Sequence, residues 1–259
     1  MRLVVKHGGN AAGPGADAAL IAELAQLHAD GHDVVLVHGG GPEIDAALAE
    51  AGVVTERVDG LRVTDAAALS VVEAVLCASA NKRLVRACLT GGVPAIGISG
   101  QDGGLLRARR ARTASGADLG FVGEIVSVDP APLLALFAGG YVPVVAPLAT
   151  GESAECAYNV NADTAAGAIA SALLADAFIT LTNVDRVLAD RLDPGSALER
   201  ISVSDAHRFA ASASCEGGMK PKILAAAKAV AGGAKHAFIC AAKPRAIQLA
   251  LAGEATIIA

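Results

Sequence analysis

The sequence contains very few aromatic residues: Trp is absent, and Phe, Tyr and Trp together account for 3% of its 259 residues. Charged residues are also scarce at 18%, whereas hydrophobic residues reach 53%, so the chain is not of the disordered class and should have an aliphatic core. A basic excess is missing too, because the formal net charge is -5. Nucleic-acid-binding proteins usually carry a basic face, so no nucleic-acid partner is expected.

Paired cysteine motifs and long apolar runs are missing as well. The five cysteines form no Cys-x-x-Cys pair, which favours free thiols in a reducing cytoplasm over disulfides or a protein-ligated metal site. A membrane span needs about 20 clean apolar residues. The best candidate, residues 165–181, is interrupted by Asp176 and is interpreted as a helix followed by a buried strand. We therefore expect a cytoplasmic protein with no membrane partner.

Short apolar runs alternate with Ala- and Leu-rich helical stretches along the chain. The predicted strands are 3–5, 34–37, 95–98, 142–146, 177–181 and 237–239, and the predicted helices are 16–30, 43–51, 66–89, 162–174 and 220–232. Strands that are apolar throughout, in alternation with helices, predict a mainly parallel sheet covered on both faces. Ligands in such sheets bind beyond the carboxyl ends of the strands.

The segment 105–128 is predicted to leave this sheet as a β-hairpin. It carries four closely spaced arginines, namely Arg107, Arg109, Arg110 and Arg112. Such a cluster is typical of a solvated strand edge that avoids pairing with other chains.

Two glycine-rich turns follow predicted strands. Lys6 ends the first strand and is followed by Gly8 and Gly9, while the second strand leads through glycines 39–41 to Pro42 and a helix. Glycine lets backbone N–H groups approach a phosphate, and a lysine or a helix N-terminus adds positive charge. The dinucleotide and P-loop patterns are both absent. Each turn taken alone is equally compatible with an ordinary tight turn.

Two further loops carry polar groups suited to binding. Arg62 follows a turn and precedes a helix, where it could bind a carboxylate through two parallel hydrogen bonds or form a salt bridge near the helix start. Asn159, Asn161 and Asp163 crowd the entry to an apolar helix. One of them could be a simple cap, but capping alone does not require all three.

The last loop, Gly217 and Gly218, precedes a helix with Lys220 and Lys222 in its first turn. Cations are unfavourable at the positive end of a helix dipole, so this placement indicates a bound anion. Phosphoryl transfer needs positioning and charge neutralisation more than covalent chemistry. Lys6, Lys222 and an acidic organiser, Asp163, supply such a set. His38 beside the second turn is interpreted as structural rather than as a base.

The order and spacing of these motifs resemble the amino acid kinase family from Leu3 to about Ala252. The matching segments read VKHGGN, VHGGGPEID, DGLRVTD, NKRLV, ISGQDGGL, DLGFVGE, GYVPVVAP, YNVNADTAA and GGMKPK. The resemblance implies a single α/β domain over residues 1–259, a three-layer αβα sandwich around a mainly parallel sheet of about eight strands. It places the acyl amino acid over roughly residues 1–150 and the nucleotide over roughly 151–259.

The resemblance also implies a kinase that uses ATP and Mg²⁺ to phosphorylate the side-chain carboxylate of N-acetyl-L-glutamate in arginine biosynthesis. By position, Lys6 and Lys222 would stabilise the phosphoryl group and Asp163 would hold both lysines. The glycines along the phosphate path would be Gly8, Gly9, Gly40 and Gly41. The acid would be bound by Arg62 and Asn159, with Gly40 and Gly41. Asn183 would contact the nucleotide together with Lys222.

Departures from the family pattern keep other hypotheses open. Asn183 and Arg186 replace an aspartate and a glycine that are common near the nucleotide, and Lys220 stands where an apolar residue is usual. Asn183 and Lys220 resemble residues of a sister enzyme that acts on aminoadipate or glutamate linked to a small acidic carrier protein, and the arginines within residues 107–112 add to this hypothesis. A non-catalytic amino-acid-binding regulator is a third hypothesis, although Lys6, Asp163 and Lys222 are all retained.

The resemblance further bears on assembly. Hexameric, arginine-inhibited members of the family carry a helix before the first strand, whereas here Lys6 follows Met1 almost at once. We therefore expect a homodimer that arginine does not inhibit.

Overall fold

The computed structural model describes residues 1–8, 16–58, 60–113, 116–154, 156–212, 215 and 217–259. The strands in chain order are β1 (Arg2–His7), β2 (Asp33–His38), β3 (Arg57–Val58), β4 (Leu61–Arg62), β5 (Ala95–Ser99), β6 (Leu106–Arg112), β7 (Asp118–Val128), β8 (Val142–Ala146), β9 (Leu148–Gly151), β10 (Ala157–Asn159), β11 (Ala177–Thr182), β12 (Arg200–Ile201), β13 (Ala237–Ala241) and β14 (Thr256–Ile258). The α-helices are α1 (Ala16–Ala29), α2 (Gly41–Glu50), α3 (Ala66–Glu73), α4 (Asn81–Thr90), α5 (Ala131–Ala138), α6 (Ala162–Ala172), α7 (Val203–Ala210), α8 (Met219–Ala231) and α9 (Ala246–Leu251).

One eight-stranded sheet, ordered β12-β14-β13-β11-β1-β2-β8-β5, runs through the described part of the chain. Neighbouring strands from β13 to β5 are parallel, and β14 pairs antiparallel with β13. The predicted α/β class and mainly parallel sheet are confirmed, and all six strands predicted from apolar runs belong to it. Because β1 lies between β11 and β2, its carboxyl end is near the middle of the edge that the carboxyl ends of the parallel strands form.

Helices cover both faces of this sheet, as strands with continuous apolar runs require. On one face Val4 and Phe178 pack with residues of α6 and α8, including Ile169 and Ile223. The other face packs against α1, α4 and α9. The core is aliphatic as expected, and Phe178 is its largest fully buried side chain.

The predicted hairpin is present as the antiparallel pair β6 and β7. β6 also pairs with β9, and β10 joins β9 to β7, so these four strands form a small closed sheet. β9 pairs with β6 only at Arg107 and Ala108, so Arg107 does not lie on a free edge. Arg109, Arg110 and Arg112 are exposed beyond this pairing, as the interpretation of a solvated strand edge predicts. Arg109 and Arg110 also pair with acids of β7, Glu124 at 3.0 Å and Asp118 at 3.2 Å.

The helix predicted over 66–89 is observed as α3 and α4 joined by a π-helical stretch, Ala74–Ala80. Asp65 caps its start by accepting a hydrogen bond from the Ala68 N–H at 2.8 Å. The wider π turns rotate the residues that follow, and Asn81 at their end is buried with 1% exposure. No helix in the described ranges combines the length and apolarity that crossing a membrane requires.

Candidate active site

Two lysines and one aspartate form a buried cluster at the carboxyl end of β1. The Lys6 ammonium lies 3.0 Å from Asp163 Oδ1, and the Lys222 ammonium lies 3.1 Å from Asp163 Oδ2. Lys6 is 5% exposed and Asp163 is 3% exposed. One carboxylate therefore holds two cations from distant parts of the chain, in the arrangement that the resemblance implies.

Local structure explains how the three side chains are held. Asn161 is the N-cap of α6, and its Oδ1 accepts hydrogen bonds from the backbone N–H groups of Asp163 and Thr164 at 2.9 and 3.1 Å. Asp163 thus sits in the first helical turn, where the helix dipole favours negative charge. Lys222 is in the first turn of α8, and its Nζ also donates to the carbonyl of Gly218 at 3.1 Å.

The cluster carries an excess positive charge, because two ammonium groups share one carboxylate. Burial lowers the pKa of Lys6, Asp163 opposes this shift and Lys222 adds to it. Lys222 retains 17% of its side-chain exposure. A buried, uncompensated positive charge that is open on one side suits a multiply charged anion.

The glycine turns adjoin this cluster. β1 and β2 are in register at His7 and His38, and the Gly39 N–H donates to the His7 carbonyl at 3.0 Å. A Cβ added to Gly8 would lie 3.1 Å from the Lys6 ammonium. The predicted phosphate-binding residue Gly9 falls outside the described residues.

The second turn leads directly into a helix. Gly40 is the N-cap of α2 and Gly41 is its first residue, and no side chain of the described residues caps the helix. N–H groups at a helix start that lack partners within the helix can bind an anion, so binding of a phosphate at this turn stays a prediction.

His38 makes a structural contact, as the sequence interpretation holds. Its Nε2 lies 3.1 Å from the Asn81 amide Nδ2, which can only donate, so Nε2 accepts and Nδ1–H donates to the Gly39 carbonyl at 2.9 Å. Burial lowers the pKa of His38 to about 4. The imidazole is therefore neutral at physiological pH and is already bonded at both nitrogens.

The predicted substrate-binding residues Arg62 and Asn159 are brought close together through Thr64. The Thr64 hydroxyl donates to the Arg62 carbonyl at 2.8 Å and accepts from Asn159 Nδ2 at 3.3 Å. The Arg62 guanidinium, 8% exposed, donates to Thr55 Oγ1 and forms a salt bridge with Asp45 of α2. It already binds a carboxylate here, which is the salt-bridge alternative considered for this residue.

Three residues depart from the family pattern, and their contacts in the described structure are with groups other than Lys6, Asp163 and Lys222. Asn183 is exposed just beyond β11 and accepts a hydrogen bond from its neighbour Thr182 at 3.1 Å. Arg186 donates to the Gly253 carbonyl at 2.9 Å and lies 3.5 Å from Glu199. It therefore ties its loop to the β12 and β14 end of the sheet. Lys220 is exposed.

Asn81 is a polar residue that the sequence reasoning did not single out. Its amide Nδ2 donates to the Val144 carbonyl at 2.9 Å and contacts His38. This joins the π-helical stretch to β2 and β8 behind the second glycine turn. An asparagine on the otherwise apolar face of a long helix is the signal that could have identified it.

Among the residues the structure describes, no group of three or more His, Cys, Asp or Glu side chains could hold a metal ion. All five cysteines are free thiols. Asp163, the acid of the cluster, is occupied by two lysines.

Sequence comparison places the chain among known proteins. The model described as "Amino acid kinase family" matches residues 1–241. An acetylglutamate kinase from Gluconobacter oxydans is 44% identical over 247 residues, which cover 92% of this chain and 82% of that protein. One from Methanopyrus kandleri is 47% identical over 210 residues, covering 80% of this chain and 85% of that protein.

Solved structures share the fold. An N-acetylglutamate synthase from Neisseria gonorrhoeae, complexed with coenzyme A and N-acetyl-glutamate, superposes with a TM-score of 0.82 at 25% identity, covering 100% of this chain and 59% of that one. A carbamate kinase from Giardia lamblia gives a TM-score of 0.69 at 18% identity, with 99% and 97% covered. The second likeness is one of fold alone.

Proposed function

Because the chain belongs to the amino acid kinase family, we propose that it transfers the terminal phosphoryl group of ATP to the side-chain carboxylate of N-acetyl-L-glutamate. The product is N-acetyl-L-glutamyl 5-phosphate, an intermediate of arginine biosynthesis. Relatives named acetylglutamate kinase match most of the chain at 38 to 47% identity, which supports this acceptor.

The observation that carries the proposal is the buried pair of lysines on one aspartate beside the glycine turns. A side-chain carboxylate has a pKa near 4, so the acceptor is ionised at neutral pH and needs no general base. An acceptor oxygen would attack the terminal phosphorus while the bond from that phosphorus to the bridging oxygen breaks and ADP leaves. The protein's task is then to position the anions and neutralise their charge.

The site residues take the following roles in this proposal. Lys6 and Lys222 stabilise the negative charge of the phosphoryl group in transfer, and Asp163 keeps their ammonium groups apart and aimed. Lys222 also contacts the nucleotide, as does Asn183 beyond β11. Backbone N–H groups at glycines 8, 9, 40 and 41 line the phosphate path.

Arg62 and Asn159 bind the acid. Arg62 can exchange its bond to Asp45 for one to the substrate's α-carboxylate, or hold both, because the guanidinium has five donors. Gly40 and Gly41 bound the acid on the side of α2. In this proposal the acid is bound mainly by roughly residues 1–150 and the nucleotide by roughly residues 151–259, and Asn159 contacts the acid from the second segment.

Magnesium enters this scheme with the nucleotide. Mg²⁺ usually keeps several waters and binds to substrate phosphates with few protein carboxylates. Asp163 is paired with two lysines, and the described residues contain no cluster of three or more His, Cys, Asp or Glu side chains that could hold a metal ion. In this proposal the substrate is MgATP, with the ion on the nucleotide's phosphates.

A coupled assay of ADP release with N-acetyl-L-glutamate tests the proposal. We expect turnover by the wild type, and a loss of at least about 100-fold in kcat for Lys222→Ala and Asp163→Asn, because each removes charge stabilisation at the phosphoryl group. Lys228→Ala, an exposed lysine of the same helix, should retain activity. No turnover by the wild type at millimolar substrate would reject the proposal.

The same assay separates the two other hypotheses. A kinase for carrier-linked aminoadipate or glutamate would be active only with the carrier protein, and an inert regulator would release no ADP with any acid. The hairpin arginines give the carrier hypothesis little support, since Arg109 and Arg110 are paired with acids of β7.

The proposed cellular form is a cytoplasmic homodimer. The five free thiols suit a reducing compartment. The dimer is proposed from the family resemblance, and light scattering of the purified protein tests it.

A further inference from the structure

A chain of polar and charged side chains connects the first turns of α1 and α2, the helices that come after the two glycine turns in the sequence. His7 Nε2 contacts Asp17 Oδ1 at 2.9 Å, and Arg83 Nη1 donates to Asp17 Oδ2 at 3.1 Å. The other terminal nitrogen of Arg83, Nη2, donates to Glu43 Oε1 at 3.0 Å. Asp17 is in the first turn of α1 and Glu43 is in the first turn of α2.

The position of this chain matters because of what lies next to it. His7 is followed directly by Gly8, and Glu43 lies two residues after Gly41. Successive side chains of a strand point to opposite faces of the sheet, so His7 and Lys6 project in opposite directions. Arg83 therefore supports the glycine turns from the side opposite to Lys6, and it is not among the groups that contact Asp163.

The contacts of Arg83 are too exposed to contribute much to stability. Its side chain is 49% exposed, and those of Asp17 and Glu43 are 33% and 41% exposed. Ion pairs of this kind are screened by water and salt and contribute little to folding. What the pair does provide is geometry, since one planar guanidinium fixes two carboxylates from two helices at once.

Arg83 also compensates charge at the phosphate path. Asp17 and Glu43 place two carboxylates at the helix starts, where an incoming triphosphate would be repelled by them. The guanidinium between them neutralises part of that charge at hydrogen-bond distance. A glutamine in its place would leave both carboxylates without a cationic partner in this chain of contacts.

We propose that Arg83 is a positioning residue for phosphoryl transfer: by bridging Asp17 and Glu43 it fixes the starts of α1 and α2, and with them Gly8 and glycines 39–41, against the transferred phosphate. This inference rests on the proposed phosphotransferase function. Arg83 acts through the two carboxylates, and Lys6 and Lys222 remain the groups that meet the phosphate.

A double-mutant cycle on the full chain tests this inference. We expect Arg83→Gln to lower kcat about tenfold with the KM for N-acetyl-L-glutamate changed less than about twofold, because a small misplacement of the turns slows the chemical step. Arg86→Gln, an exposed arginine of the same helix, should keep kcat within about twofold. Adding Glu43→Gln to Arg83→Gln should lower kcat little further, since coupled residues are not additive.

The inference is overturned if Arg83→Gln keeps more than half of the wild-type kcat, or if the loss of kcat in the double variant equals the product of the losses measured for Arg83→Gln alone and Glu43→Gln alone. Urea unfolding of each variant separates this effect from a loss of folded protein. Equal midpoints for Arg83→Gln and Arg86→Gln are expected.

A binding measurement keeps the test independent of the acceptor. Calorimetry with the magnesium complexes of ADP and of the non-hydrolysable ATP analogue AMP-PNP isolates the terminal phosphate. In Arg83→Gln the affinity for AMP-PNP relative to ADP should fall several-fold, and an unchanged ratio counts against the inference. If the wild type binds both nucleotides but phosphorylates no acetylglutamate, the proposed acceptor fails while the ratio still decides the role of Arg83.

Discussion

At the scale of single residues, the candidate site consists of one carboxylate that is shared by two ammonium groups. Asp163 offers two oxygens, and each is taken by a different lysine. The contact with Lys6 is an ion pair at 3.0 Å rather than a well-aligned hydrogen bond. That leaves the Lys6 ammonium with donor capacity for a further acceptor, which is what a transferring phosphoryl group requires.

Gly8→Ala tests how tightly the first glycine turn approaches that ammonium. The added methyl would lie 3.1 Å from Lys6 Nζ and 3.7 Å from the Leu181 carbonyl. The lysine must then shift by a few tenths of an ångström, and the methyl occupies the space from which the phosphate would approach. We expect kcat to fall about 100-fold with little change in the urea midpoint. Wild-type kcat in Gly8→Ala would show that Gly8 does not face the reacting phosphate.

At the scale of elements, the sequence predicts best where burial alone decides the structure. The strands β1, β2, β8 and β11 each contain a buried, mostly apolar run and could be predicted by pattern. The two-residue strands β3, β4 and β12 could not, because pairing with neighbours stabilises them rather than their own composition. The π-helical stretch within 66–90 was also missed, since a few wider turns leave the apolar periodicity of a helix nearly unchanged.

The contact between β7 and the Arg62 segment is another feature that no local pattern could predict. The Thr64 N–H donates to the Leu119 carbonyl, and the Phe121 N–H donates to the Thr64 carbonyl at 2.6 Å. Gly120 between them has φ of +69°, and a Cβ there would lie 2.2 Å from the Thr64 carbonyl oxygen. The glycine is required by the close approach of two backbones, on which the position of Arg62 depends.

Gly120→Ala should therefore both destabilise the protein and weaken acid binding. The left-handed φ costs about 1–2 kcal/mol for alanine, and the clash with Thr64 adds to it. Gly116→Ala is the matched control, since its φ is +81° and an added Cβ meets nothing within 4 Å. Urea unfolding should show a larger loss for Gly120→Ala, with a raised KM for N-acetyl-L-glutamate. Equal losses for the two variants would mean that the backbone contact is unimportant.

At the scale of the whole molecule, the candidate site joins residues 6, 163 and 222, which lie together at the carboxyl end of β1. The order of strand and glycine turn could predict that each loop lies at the carboxyl edge. It could not predict which loops are neighbours, because that depends on the strand order β11-β1-β2. The pairing of Lys6 with Lys222 through Asp163 followed from the family resemblance alone. The structure supplies its distances.

Two buried histidines at that same edge give the whole fold a defined acid sensitivity. Burial is the main cause of a lowered pKa at both His7 and His38, and it brings that of His38 to about 4. In the unfolded chain both have a pKa near 6.5. As pH falls from about 6.5 to about 4, the two histidines bind protons in the unfolded chain but much less in the native protein, so the free energy of unfolding falls. For His38 the loss approaches about 3 kcal/mol.

Urea unfolding at pH 7.5, 6 and 5 measures this loss. His38→Gln keeps an acceptor for Asn81 but cannot titrate, so its unfolding free energy should decline less steeply below pH 6.5 than that of the wild type. His207→Gln, at an exposed histidine on α7, is the matched control and should follow the wild type because that side chain is not buried. Parallel pH profiles for wild type and His38→Gln would contradict the buried, neutral imidazole behind the second glycine turn. A shallower profile for His38→Gln alone would assign the acid sensitivity of the fold to the residue that supports that turn.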